Sequence, residues 1–128
     1  MEDTLPVIDN HNKTEIDQTE AAKKIASLLR DHNGQNVSLL DLRGINGWTD
    51  FFIITTVTSN THMEGLVRHL KEFCNENEIM IFGNSRKNQD DQWRLIDLGT
   101  IVIHLMTPAA RDFYELERLW AHNKKDRR

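Results

Sequence analysis

The chain has 128 residues, of which 38% are apolar and 28% charged, a size and balance that suit one compact domain with its own core. No apolar run reaches the ~18–20 residues of a membrane span; the most extended, over residues 101–106, contains His104. The formal net charge is −4, and residues 1–20 hold Glu2, Asp3, Asp9, Glu15, Asp17 and Glu20 against Lys13 alone, which leaves the rest of the chain at +1. So neutral a body excludes affinity built on many phosphate contacts, and no broad nucleic-acid binding is expected.

Cys74 is the single cysteine, which rules out an internal disulfide or a Cys-rich metal cluster and fits a reducing compartment. The N-terminal stretch is acidic and lacks an apolar signal region. A cytoplasmic location is expected.

In chain order, residues 1–13 are polar, include Pro6 and show no hydrophobic period, so they read as a flexible acidic arm. The folded domain is expected over 14–122. A helix starts near Thr14, with Ile16, Ala21, Ile25, Leu28 and Leu29 on one face and a stop at Gly34. Residues 37–42 read as a strand. The run FFIITTV at 51–57 has the pattern of a strand buried on both faces.

Ser59 or Asn60 caps a second helix, with Met63, Leu66, Val67, Leu70, Phe73 and Cys74 as its apolar stripe. A short strand is expected at 79–82, then a polar stretch at 83–91. Two strands at 92–98 and 100–106 form a hairpin turning at Gly99. Thr107-Pro108 opens a terminal helix to about His122, with Phe113, Leu116 and Trp120 facing the core. Residues 123–128 form a basic, solvated tail. The order α-β-β-α-β-β-β-α predicts a single α/β domain with a mixed, roughly five-stranded sheet packed by helices.

Candidate chemistry is sparse. Asp41, Asp50 and Asp97 sit at strand ends, where carboxylates could hold Mg²⁺ for nucleotidyl or phosphoryl transfer. They are scattered, however, and there is neither a paired Asp-x-Asp nor a Gly-rich phosphate loop. The six histidines show no zinc spacing. No catalytic residue, metal or cofactor is expected. The hairpin is more promising, because period-two geometry puts Trp93, Leu95 and Asp97 on one strand face and Arg94, Ile96 and Leu98 on the other. Whichever face misses the core presents an aromatic beside an acid, or an Arg with two aliphatics, and Trp and Arg dominate protein-binding hot spots.

Three segments together carry a resemblance: VSLLDLRGINGWTDFFIITTVTSNTH (37–62), QWRLIDLGTIVIHLM (92–106) and TPAARDFYELERLW (107–120). They resemble the ribosomal silencing factor (Iojap-like) family, in order and at similar spacing from about Glu20 to Trp120. The resemblance implies a nucleotidyltransferase-like fold without transferase activity. It also implies binding to the large ribosomal subunit through its ribosomal protein number fourteen, in the universal naming. Such binding blocks joining with the small subunit and represses translation during nutrient limitation. Members tend to pair as homodimers when free.

Carried over one at a time, the family's positions fall on Trp93, Leu95, Asp97, His104, Arg111, Tyr114, Glu117 and Trp120, which are the candidate partner-binding residues; the motif alone leaves open which of them touch the partner and which hold the fold. The chain departs from the family's pattern at Val57 and Thr61, in the stretch after the buried strand. It departs again at Thr100, where an acid is usual, and at Phe82, where the family has Glu before glycine. A metal-dependent nucleotidyl or phosphoryl transferase is the alternative.

Overall fold

Ala22, Ile25, Ala26 and Leu29 recur at i, i+3, i+4 and i+7 and lie buried along one face of helix α1 (Thr4–Asp31). Burying an aliphatic of this size stabilises a fold by about 1.5–3 kcal/mol, so this stripe commits the helix to the sheet beneath it. The computed structural model describes residues 4–45, 47, 49–86 and 91–119, with side chains from residue 18 onward. Helix α1 begins at Thr4, so residues 4–13, expected as an unstructured arm, continue the helix instead. Pro6 is compatible with this because it lies in the first turn, whose N–H groups have no intrahelical partner. The helix ends at Asn33 (φ 70°), and the Gly34 N–H closes onto the Leu29 carbonyl at 2.7 Å. A Cβ on Gly34 would stand 2.7 Å from both the Leu29 carbonyl oxygen and Thr55 Oγ1, so the turn requires glycine.

Strands β1 (Gln35–Asp41) and β2 (Phe51–Thr56) pair antiparallel, with an irregularity between Gln35 and Ser38. Helix α2 (Asn60–Glu76) follows, capped by Ser59, whose hydroxyl accepts from the His62 N–H at 3.0 Å. Its buried side, Met63, Leu66, Val67, Leu70 and Cys74, is the stripe expected from the sequence, with the sixth member, Phe73, only partly buried beside it. Strands β3 (Gly83–Arg86), β4 (Trp93–Asp97) and β5 (Ile101–Met106) complete a mixed five-stranded sheet in the order β1-β2-β5-β4-β3. Only β2 and β5 run parallel. They are central, and every residue of both is buried.

Both helices pack on one face of the sheet, where Ile25, Leu29, Leu66 and Leu70 meet Ile53, Ile96, Ile103 and Leu105. The opposite face carries two smaller clusters. Ile54, Trp93, Met106 and Ala110 form one, and Leu42, Phe52 and Val102 the other.

Two expected elements are corrected. The short strand is Gly83–Arg86 rather than 79–82. Ile79 and Ile81 reach the core from irregular backbone while Met80 and Phe82 point outward, so apolar alternation there reflects one-sided packing without a ladder. The paired residues are polar because β3 is an edge strand, largely exposed to solvent.

The terminal helix is also shorter than expected. Helix α3 (Pro108–Tyr114) starts as expected, with Thr107 Oγ1 accepting from the Ala110 N–H at 3.3 Å, but it stops at Glu115, which adopts a left-handed conformation (φ 47°, ψ 50°). Residues 116–119 then form a new helical turn. Within α3, Ala110 and Tyr114 take the side that faces the sheet, so Phe113 points outward, against expectation, and is 78% exposed. Trp120 and the tail at 123–128 lie outside the described residues. Among the described residues, no helix is long and apolar enough to cross a membrane.

Candidate interaction surface

The sheet face away from α1 and α2 holds most of the candidate residues. Trp93 on β4 and His104 on β5 point to this face but are only 4% and 3% exposed. The Trp93 Nε1–H donates to His104 Nδ1 at 3.0 Å, so the imidazole accepts at Nδ1. Phe52 meets the His104 ring edge-on at 4.6 Å, and Tyr114 covers the Trp93 indole at 4.4 Å. Expected as partner contacts, Trp93 and His104 are instead interior residues that hold β4, β5 and α3 together.

Leu95 is half-buried against the Leu42–Phe52–Val102 cluster. Asp97 works within the hairpin, its Oδ1 accepting from the Gly99 N–H at 2.8 Å while Gly99 turns the chain at φ +88°. Tyr114 is half-buried, bridging Trp93 and the outward ring of Phe113, 4.9 Å away.

Arg111 and Glu117 come together. The left-handed turn at Glu115 folds residues 116–119 back, so the Arg111 guanidinium meets the Glu117 carboxylate with two bonds, Nε to Oε1 at 3.1 Å and Nη2 to Oε2 at 2.7 Å. Arg111 also donates to Thr56 Oγ1 on β2 at 3.0 Å and to Ser38 Oγ on β1 at 3.1 Å, and Ser38 in turn donates to Glu117 Oε2. The hydrogen bond from Arg111 holds the Glu117 carboxyl below the usual carboxylate range, against the opposing effect of burial, with Ser38 assisting.

Phe113 and Leu119, 78% and 52% exposed, form an outward apolar pair that the sequence reading missed. They flank a shallow cavity of about 390 Å³ lined also by Tyr114, Glu115 and Arg118. No local signal marks the pair, because nothing in the sequence ends α3 at Glu115. A helix that ends at Tyr114 turns only one of the adjacent Phe113 and Tyr114 rings onto the sheet.

Two of the three acids that could hold a divalent cation are engaged within the chain. Both carboxylate oxygens of Asp41 are taken by the Arg43 guanidinium, at 3.0 and 2.7 Å, and Asp97 Oδ1 by its turn. Among the described residues, no three His, Cys, Asp or Glu side chains are grouped to hold a metal ion. Cys74 is buried in α2, and desolvation pushes its thiol up, away from the reactive thiolate.

A family model described as "Ribosomal silencing factor during starvation" matches residues 15–128. The chain belongs to the ribosomal silencing factor family. The family's member from Treponema pallidum is 35% identical over 101 residues, covering 78% of this chain and 89% of its own length. A mouse relative, "Mitochondrial assembly of ribosomal large subunit protein 1", is 35% identical over 102 residues, covering 75% of this chain; the match spans only 43% of that longer protein. A crystal structure of a Chromobacterium violaceum protein superposes with a TM-score of 0.71 at 29% identity, covering 80% of this chain and 85% of that one.

The expected departures from the family's pattern lie beside the ends of β2 and β5 and in the first turn of α2. Val57 is fully buried under the helices, and its N–H bonds the Met106 carbonyl at 2.8 Å. Thr61 is exposed in the first turn of α2. Beside it, His62 Nδ1 accepts from the Thr58 N–H at 3.0 Å and Nε2 donates to the His32 carbonyl at 2.9 Å, joining α2 to the end of α1. The Thr100 carbonyl accepts from Thr49 Oγ1 and from the N–H groups of Asp50 and Phe51, anchoring the loop before β2.

Proposed function

We propose that this protein is a cytoplasmic ribosomal silencing factor. It binds the large ribosomal subunit through its ribosomal protein number fourteen, occupies the face on which the small subunit docks, and represses translation during nutrient limitation. Membership of the family supports this reading. The observation that carries it is the exposed pair of Phe113 and Leu119 on the short α3 unit. A large aromatic left out of the core beside a second apolar residue suits the centre of a protein interface.

The rim of that pair is mixed, with Glu115 beside Arg118. An acid at the rim complements a basic ribosomal protein and speeds encounter. The reading extends to a homodimer when free, because the same apolar pair can be covered by a second copy. It requires no catalysis. A 15.0 kDa body on the joining face excludes the small subunit by volume alone, even on a fold related to nucleotidyltransferases. The transferase alternative lacks support from Asp41 and Asp97, whose oxygens serve Arg43 and the hairpin turn.

Cosedimentation with purified large subunits, followed by addition of small subunits, tests the proposal. Stoichiometric binding with loss of joined particles is the expected result. Absence of binding at micromolar protein overturns it.

A further inference from the structure

Arg111 and Glu117 are candidate partner-binding residues, yet their polar atoms are engaged within the chain. The Arg111 side chain is 12% exposed, and its Nε, Nη1 and Nη2 all donate to Glu117, Thr56 and Ser38. Both Glu117 oxygens accept from Arg111, and one also from Ser38. The chain between them passes through the left-handed Glu115, a conformation that residues with a Cβ adopt only when their surroundings impose it. Leu116 fastens the far side of this turn to the Trp93–Met106 cluster. Thus one apolar and one ionic contact hold residues 116–119 against β1 and β2, and Leu119 is presented beside Phe113.

From this geometry we infer that Glu117 is a positioning residue. Acting through Arg111, Ser38 and Thr56, it sets the angle of the 116–119 turn so that Leu119 and Phe113 form one docking surface, and it does not itself touch the partner. The inference rests on the proposed function, since the surface it shapes is the one assigned there to the large subunit. Two fixed hydrogen bonds of a guanidinium–carboxylate pair define orientation in a way a single lysine contact does not. Loss of either member leaves the turn held by Leu116 alone, while the α1–α2 layer is not touched.

A double-mutant cycle on large-subunit affinity tests it, using the full chain with R111A, E117A and the double variant. E117Q and R111K serve as milder forms, and the thermal midpoint of each is measured. For a pair acting as one unit, each single change weakens binding by about tenfold and the double variant is no worse than either single. Loss of a positioning contact also raises the dissociation rate and leaves the salt dependence of association unchanged, whereas loss of a charge that meets the partner alters both association and its salt slope. Additive losses with an altered salt slope overturn the inference by showing direct contact. Wild-type affinity in E117Q and E117A overturns it equally, and both results leave the proposed function standing. If the wild-type chain fails to bind large subunits, the proposed function falls and the docking role of Glu117 falls with it.

Discussion

The Trp93 indole N–H and the His104 imidazole Nδ1 meet at 3.0 Å across two antiparallel strands, on the sheet face that α3 covers. Trp93 stands opposite Met106, so His104 is its diagonal neighbour on the same face, within reach of a side chain as long as tryptophan. The bond satisfies two polar groups that would otherwise oppose burial, and it binds the hairpin to the shelf on which Tyr114 and Ala110 rest.

Removing the donor therefore acts on stability. Trp93→Phe leaves the buried Nδ1 of His104 without its indole partner, at a cost of about 1–3 kcal/mol. Trp93→Ala adds the lost packing, for a total of about 3–5 kcal/mol. Equilibrium urea unfolding should show a lower midpoint for both, with the alanine variant the worse. A variant as stable as the wild type would show that the pair is not structural.

Phe113→Ala has the opposite signature. The ring is 78% exposed, so stability should move by no more than about 0.5 kcal/mol. Large-subunit binding should weaken by at least about tenfold if the ring is an interface anchor. Titration calorimetry or cosedimentation, beside a melting curve, separates the two quantities. Unchanged binding would remove Phe113 from the docking surface.

Gly34→Ala should destabilise the fold by about 1–3 kcal/mol, through backbone and packing strain. The added methyl meets the Leu29 carbonyl oxygen at 2.7 Å, and backbone at a helix end held by its own hydrogen bond cannot easily withdraw. Chemical denaturation reads the loss directly, and a neutral result would mean that the α1–β1 turn relaxes freely.

The acid limb of stability should report Glu117. Its folded-state pKa lies below the ordinary value of 4.5, mainly through the hydrogen bond from Arg111. A depressed carboxylate contributes stability that is fully present above the unfolded-state value and is lost as pH falls through the folded value. Glu117→Gln should therefore lower stability at neutral pH and flatten the decline below about pH 4.5. Denaturant midpoints measured across that range check the slope; an unaltered acid limb would show that the ion pair contributes nothing there.

Much of the architecture was legible without coordinates. The α-β-β-α-β-β-β-α order, the two-sided burial of 51–57, the α2 stripe and the Gly99 hairpin all follow from periodicity and from residues with one dominant backbone preference. Family membership was legible too, because three segments matched in order and spacing. The edge strand was misplaced since its residues, Gly83 to Arg86, carry no hydrophobic signal and pair only through their backbones. The length of α3 was misjudged because nothing local forbids helix at Glu115.

The sequence by itself determined which residues must be buried somewhere and which segments could pair, since these depend on local period and on the cost of exposing apolar surface. Only the tertiary structure decided which faces were left over. Trp93 and His104 went inside because α3 closes over them, Phe113 went outside because Ala110 and Tyr114 take the sheet side of α3, and Arg111 met Glu117 because the chain reverses at Glu115 and brings the two onto β1 and β2. Each depends on contacts between segments far apart in the chain, where no local preference operates.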